Sequence, residues 1–133
     1  MSVAGLPNPP VFRFGPITRQ DLVRYAGASG DFNPLHYDDQ FARSAGLPGV
    51  MAHGMFSAGL LGSFLVSWVE DRRVRRFRLR FKAPVWPGDT LHATGSVVRT
   101  RRLEEGEVAE LELKLARHDG SEVVTAIAEV QCP

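Results

Sequence analysis

The sequence predicts an α+β domain in which an antiparallel sheet wraps around one central helix. Residues 55–69 are apolar on nearly every side of a helix, and such a helix has to be buried on every side. Four segments that follow it alternate apolar and polar residues as strands do: 74–83, 90–100, 108–117 and 122–131. These strands are the part of the chain that can enclose the helix, so a sheet curled around it is expected.

Three further elements are predicted before the central helix. Residues 11–14 form a short strand. Thr18 is suited to cap a helix over residues 19–27, with Asp21 at its third position. Residues 38–45 form a second short helix, which Gly46 and Pro48 end. The remaining N-terminal residues, 1–10, are predicted to be a flexible arm, which leaves 11–133 as a single domain.

Two glycines interrupt the central helix. Gly59 and Gly62 each cost about 1 kcal/mol relative to alanine in a helix. We therefore expect them to mark a close approach of the helix to the sheet. The chain has 133 residues and no internal repeat, which excludes a second copy of the same domain.

Composition narrows the class of protein. The formal net charge is +1, which favours neither a nucleic-acid partner nor a membrane partner. A single cysteine, Cys132, excludes an intramolecular disulfide and a multi-cysteine zinc site. The four histidines, at positions 36, 53, 92 and 118, lack close ligand spacing, so no metal and no other cofactor is predicted. The first ten residues do not resemble a signal peptide, and a cytoplasmic protein is expected.

The most informative segment is residues 25–42, which places a carboxylate and an imidazole on either side of a forced bend. An extended chain would separate Asp31 from His36 by roughly 16 Å, and a helix by about 7.5 Å along its axis. Asn33-Pro34 prevents both conformations, because proline fixes its own φ and disfavours the helical region for the residue before it. Asp31 and His36 are therefore predicted to converge on one small ligand.

This segment closely resembles the hydratase signature of the MaoC-like family, which comprises (R)-specific enoyl-thioester hydratases and 3-hydroxyacyl-thioester dehydratases. The matching residues are 29–31, 33–36 and Ala42, whereas Ala28 departs from the pattern. Residues 52–55 and 86–91 resemble two further motifs of the family, in the family's order. The resemblance implies the hotdog fold, one copy per chain, and a dimer in which two sheets join edge to edge.

Hydration of an enoyl thioester needs a group that deprotonates water, a group that delivers a proton to the α-carbon and a donor for the thioester oxygen. Asp31 and His36 are suited to the first two tasks, and the sequence leaves open which group handles which proton. The backbone N–H of Gly54, at the start of the central helix, is suited to the third. The resemblance implies the same roles, with Asn33 as a positioning residue. Ser29 is either a second positioning residue or part of the turn.

The sequence allows two interpretations of His53 and two interpretations of a group of arginines. His53 either faces the ligand or is a structural histidine at the start of the buried helix. The arginines of the next segment either form a solvated strand face or contact the phosphates of coenzyme A or an acyl carrier protein: Arg72, Arg73, Arg75 and Arg76.

The main functional hypothesis is reversible hydration of trans-2-enoyl thioesters to (R)-3-hydroxyacyl thioesters, carried on coenzyme A or on acyl carrier protein. A thioesterase is the first alternative, but no Asp or Glu occurs between Asp39 and Glu70, where hotdog thioesterases commonly place one. The second alternative is a subunit that works only with a different hotdog chain. Residues 25–31 and 67–69 resemble the catalytic subunit of mycolic-acid type (3R)-hydroxyacyl-ACP dehydratases, so a homodimer is expected and a heterodimer stays open.

Overall fold

A computed structural model describes residues 5–132 as one five-stranded antiparallel sheet packed on a central helix. The strands lie in the order β1-β3-β4-β5-β2. Their bounds are β1 Phe12–Phe14, β2 Arg73–Phe81, β3 Leu91–Leu103, β4 Gly106–Arg117 and β5 Glu122–Cys132. The helices are α1 Arg19–Ser29, α2 Asp39–Ser44 and α3 Gly54–Val69, with one 3₁₀ turn at Pro34–His36. The predicted α+β class and every predicted helix and strand are confirmed.

The start of α1 has the predicted capping box. The Asp21 N–H donates to Thr18 Oγ1 at 3.1 Å, and the Thr18 N–H donates to Asp21 Oδ2 at 2.8 Å. The helix ends at Gly30, whose φ of 74° lies in the left-handed region that favours glycine. This termination matters for the site, because the next residue is Asp31.

The core lies between α3 and the middle of the sheet. Leu61, Phe64 and Trp68 of α3 are fully buried, together with alternate residues of the central strand β4, Leu111, Leu113 and Leu115. This alternation puts one face of each strand on the helix and the other in solvent. Among the described residues, no helix is both long enough and apolar enough to span a bilayer.

The expectation that the central helix is buried on every side is wrong for a single chain. Met55 and Val66 of α3 are 61% and 60% exposed. The sheet covers only one side of the helix, because it ends at the edge strand β2. The apolar residues on the other side therefore lie on a surface.

The close approach of sheet to helix occurs at a glycine of the sheet, contrary to the prediction. A Cβ atom built on Gly95 of β3 would lie 2.5 Å from Cζ3 of Trp68. A Cβ atom on Gly59 meets nothing within 4 Å, because this glycine lies on the exposed side of α3. On Gly62 it would meet the Phe77 ring at 3.7 Å, which is ordinary van der Waals contact.

The described part of the predicted flexible arm is packed against the domain. Leu6 is fully buried, and the Trp68 indole N–H donates to the Pro7 carbonyl at 2.9 Å. The Arg72 guanidinium donates to the Gly5 carbonyl. The burial of Leu6 and the hydrogen bonds to the Pro7 and Gly5 carbonyls hold this segment against the domain. Its proline and glycine residues had predicted a flexible arm. The rest of the arm, residues 1–4, lies outside the described residues.

Candidate active site

The loop after α1 is a series of side-chain turns. Ser29 Oγ accepts the Asp31 N–H at 3.2 Å, and Asp31 Oδ1 accepts the Asn33 N–H at 3.2 Å. Asn33 Oδ1 in turn accepts the N–H of Leu35 at 3.1 Å, which starts the 3₁₀ turn that ends at His36. Ser29 and Asn33 thus shape the backbone that carries the Asp31 carboxylate and the His36 imidazole.

This loop brings Asp31 and His36 together. Asp31 Oδ2 lies 3.9 Å from His36 Nε2, which is too long for a direct hydrogen bond. The His36 side chain is 10% exposed and the Asp31 side chain 53% exposed, so the space between them is open to solvent on the carboxylate side. A small molecule such as water can therefore contact both groups.

The hydrogen bonds of His36 determine which of its nitrogens faces this space as a base. His36 Nδ1 lies 2.6 Å from the Met51 carbonyl oxygen, and a carbonyl only accepts, so Nδ1 carries the proton. The Met51 N–H donates to the Leu35 carbonyl at 3.1 Å, which holds this loop against the 3₁₀ turn. In the neutral ring Nε2 is then the acceptor, and it points towards the Asp31 carboxylate.

His53 contacts both Asp31 and His36. The sequence left open whether His53 faces the ligand or is a structural histidine. Its Nε2–H donates to the backbone carbonyl of Asp31 at 3.0 Å. Its ring stacks on the His36 ring with the centroids 3.6 Å apart and an angle of 19° between the planes. On another side it contacts Tyr25 at a centroid distance of 4.9 Å. His53 is 3% exposed, and its Nδ1 has no hydrogen-bond partner among the described residues.

The start of α3 supplies a free backbone donor next to His53. The Gly54 N–H forms no hydrogen bond within residues 5–132, and no side chain caps this helix. The first N–H groups of a helix point along its axis and carry the positive end of the helix dipole. A Cβ atom on Gly54 would lie 3.4 Å from the Phe81 ring. A side chain here would therefore narrow the approach to the amide.

A groove of about 430 Å³ begins at Gly54. Its walls are mainly apolar and come from the loop before α3, from the end of β2 and from the segment after β2: Leu47, Pro48, Met51, Ala52, Phe81, Val85 and Trp86. Lys82 also lines it. An apolar groove beside an open amide suits a ligand that has a polar carbonyl group and a hydrocarbon chain.

The fold brings two distant histidines together, although their spacing in the sequence predicted no metal. Asp31, His36 and His53 each place a potential ligand atom within 4.8 Å of the others. The two rings are nearly parallel, however, so their in-plane lone pairs do not converge on one point. One nitrogen of each ring is also bound to a backbone carbonyl. The geometry fits a water between Asp31 and His36 better than a metal ion.

The arginine contact to phosphates, one of the two interpretations from the sequence, concerns residues at the far end of β2 from Gly54. Arg72 is occupied internally, because it donates to the carbonyls of Gly5 and Val69. Arg73, Arg75 and Arg76 lie at the start of β2, whereas Phe81, which contacts Gly54, lies at its end. At about 3.3 Å per residue, Arg73 is about 26 Å from Phe81. The contact of these arginines with the phosphates of coenzyme A or an acyl carrier protein stays a prediction.

With this geometry established, comparisons with known proteins identify the family. The model of the MaoC like domain matches residues 8–117. The (R)-specific enoyl-CoA hydratase of Aeromonas caviae is 32% identical over 123 residues, which are 91% of this chain and 88% of that protein. The mitochondrial 3-hydroxyacyl-[acyl-carrier-protein] dehydratase FERN of Solanum lycopersicum is 29% identical over 113 residues, 85% of this chain and 68% of the enzyme. Some relatives are far longer: the chain spans 5% of the fatty acid synthase subunit beta of Saccharomyces cerevisiae.

Solved structures agree with the sequence comparison. The (R)-hydratase from A. caviae involved in PHA biosynthesis superposes with a TM-score of 0.81, covering 97% of this chain and 98% of that chain at 29% identity. The HadBC (3R-hydroxyacyl-ACP dehydratase) complex from Mycobacterium tuberculosis has a TM-score of 0.70 at 18% identity, covers 92% of this chain and 95% of that chain, and shares the fold. The hotdog fold expected from the sequence is confirmed. The chain belongs to the family of MaoC-like domains, whose members here include (R)-specific enoyl-CoA hydratases and 3-hydroxyacyl-ACP dehydratases.

Proposed function

We propose that this chain is a lyase that interconverts trans-2-enoyl thioesters and (R)-3-hydroxyacyl thioesters. The observation that carries the proposal is the pair of acceptors, Asp31 Oδ2 and His36 Nε2, 3.9 Å apart. His53 contacts both residues and directly precedes Gly54, whose N–H has no hydrogen-bond partner within residues 5–132. Relatives with this activity align with most of the chain. The substrate is held on coenzyme A or on acyl carrier protein, and the acyl chain enters the apolar groove beside Gly54.

In the proposed mechanism, one water donates hydrogen bonds to both Asp31 and His36. One of these groups removes a proton as the water oxygen bonds to C3 of the enoyl thioester. Electrons of the double bond move towards the thioester oxygen, which accepts a hydrogen bond from the Gly54 N–H. C2 then receives a proton from the pair, so the site returns to its starting state. Dehydration follows the same steps in reverse.

The proposal includes a second hotdog subunit on the open side of the sheet. Apolar residues there are exposed in the single chain: Met55 at 61%, Val66 at 60% and Phe81 at 53%. Exposed apolar side chains grouped on one side of a domain are typical of a protein interface. Burial beneath a partner would also shield the Gly54 end of the groove. A second copy and a different chain both satisfy this apolar requirement.

Turnover of crotonyl-CoA tests the proposed reaction. Purified protein should remove the absorbance of the conjugated double bond, and chiral analysis should find the (R)-3-hydroxy product. Asp31→Asn, which keeps the shape of the side chain but removes the charge, should lower the rate by about 10²-fold or more. Formation of the (S) product, or release of free thiol without hydration, would contradict the proposal. Thiol release is the outcome that the thioesterase alternative predicts.

A further inference from the structure

The edge strand β2 has two chemically different faces. Within residues 5–132 it pairs only with β5, so the backbone N–H and C=O groups along its other side form no hydrogen bonds with a neighbouring strand. Phe77 and Leu79 point inwards and pack against the core. The outer face carries Arg76, Arg78 and Arg80, and all three are exposed. The free edge is therefore apolar on the inside and cationic on the outside.

The arginines of β2 have no ion-pair partner within residues 5–132. Five of the nine residues of β2 are arginines, and none of the five forms an ion pair with another described residue. The two carboxylates of the neighbouring strand β5 are bound to other cations. Glu129 lies opposite Arg76 but pairs with Arg101 at 3.0 Å, and Glu122 pairs with Lys82 at 3.2 Å. The strand thus presents a row of cations available to a partner.

A second copy of the chain fits this edge poorly. In antiparallel pairing, residues directly opposite each other point to the same face of the sheet. If β2 pairs with itself around a two-fold axis, the outer arginines can lie only opposite outer residues of the same segment: Arg73, Arg76, Arg78, Arg80 and Lys82. Every such register places cations opposite cations. Like charges directly opposite in a sheet are destabilising.

We propose that the β2 edge binds a different hotdog-type subunit whose own edge strand is apolar on its inner face and carries carboxylates on its outer face. The inference rests on the proposed second subunit and specifies its chemistry. Carboxylates opposite Arg76, Arg78 and Arg80 would form charge-assisted hydrogen bonds across the new strand pair. The apolar inner face would continue the surface formed by Phe77 and Phe81.

Two versions of the same chain can test this without the natural partner. The acidic-edge variant carries Arg76→Glu, Arg78→Glu and Arg80→Glu. Wild type and variant are coexpressed with different tags, and native mass spectrometry counts the dimers. We expect mixed dimers well above the statistical proportion, and mixed pairs that bind about tenfold more tightly than wild type binds itself. Rising salt should weaken the mixed pair and strengthen wild-type self-association, because salt screens exposed charges.

A matched control separates edge pairing from general charge attraction. Arg13→Glu, Arg24→Glu and Arg102→Glu together make the same change in net charge at exposed positions away from β2. This control should show no preference for mixed dimers. If circular dichroism shows that the acidic-edge variant does not fold, Arg78→Glu alone should shift the proportion in the same direction.

Three outcomes would overturn the inference: wild-type dimers as tight as mixed ones, an equal preference with the control variant, or no dimers in any mixture. None of these results bears on hydration by Asp31 and His36. Hydratase activity is measured separately, so failure of the assembly can be told from failure of the reaction.

Discussion

At the scale of single residues, His53 connects the two groups proposed to act on water. Its N–H holds the backbone of Asp31, and its ring covers one face of His36. The two contacts are made to the backbone of Asp31 and to the ring face of His36, not to Asp31 Oδ2 or His36 Nε2. We therefore assign His53 a positioning role, in which it fixes the separation and the orientation of the pair.

Replacing His53 in two ways separates its two contacts. His53→Phe keeps a ring against His36 but loses the bond to the Asp31 carbonyl, whereas His53→Gln keeps an N–H donor but loses the ring. Each change should lower kcat about 10- to 100-fold with little change in KM, since small displacements of reacting groups cost this much. Steady-state kinetics on crotonyl-CoA measures both constants.

The same two changes in a His36→Ala background are the decisive control. Without the His36 ring, loss of the stacking partner should have almost no further effect on the residual rate. The exposed histidine His118 provides a matched site, and His118→Gln should leave kcat unchanged. An undiminished effect of His53→Gln, the variant that loses the ring, in the His36→Ala background would contradict the role assigned to the stack.

At the scale of elements, the contact between β3 and α3 depends on one glycine. Gly95→Ala forces a Cβ against Trp68 at 2.5 Å, so we expect a loss of about 1–3 kcal/mol in the free energy of unfolding. Gly59→Ala adds a methyl group where nothing lies within 4 Å and should stabilise the helix by about 0.4–1 kcal/mol. Urea denaturation of both variants measures the difference. Equal effects of the two changes would contradict this packing.

The link between α2 and the loop before α3 depends on Asp39. Hydrogen bonding from the Val50 N–H, with a smaller contribution from Arg19, lowers the pKa of the Asp39 carboxyl below its ordinary value of 3.8. The bound carboxylate therefore stabilises the folded chain above pH 3.8, and this stabilisation is lost as the pH falls through the lowered pKa.

Asp39→Asn removes this titration. The wild type should lose more of its free energy of unfolding than the variant as the pH falls below 3.8, as measured by urea denaturation at a series of pH values. Asp119→Asn is a matched comparison, because hydrogen bonds from Ser121 also lower the pKa of this exposed carboxyl. Parallel pH curves for the wild type and Asp39→Asn would contradict the assigned link.

Local patterns predicted the elements well because each had an unambiguous local cause. Thr18 and Asp21 fix the start of α1, and alternation fixes the four long strands. The predictions that failed concerned contacts between residues that lie far apart in the sequence. The approach at Gly95 requires Trp68, 27 positions earlier in the chain, and the packing of Leu6 requires the finished core. The His36–His53 stack likewise exists only after the loop and α3 meet.

At the scale of the whole molecule, a net charge of +1 conceals an uneven surface. One edge of the sheet carries five arginines, and the apolar side of α3 lies beside it. The sequence identified both features, but it left the arginines between a solvated strand face and a phosphate contact and assigned the helix to complete burial. The expectation of complete burial fails for a single chain, because the fold leaves one side of α3 open.

The central claim is that Asp31 and His36 act on one water held between them. The most direct test measures kcat for hydration in Asp31→Asn, His36→Ala and the double variant, with folding checked by circular dichroism. Each single change should lower kcat by about 10²- to 10⁴-fold. The double variant should lose little more than the worse single variant, because groups that act as a unit are not additive. Losses that multiply, or a wild-type rate in either folded single variant, would contradict the account.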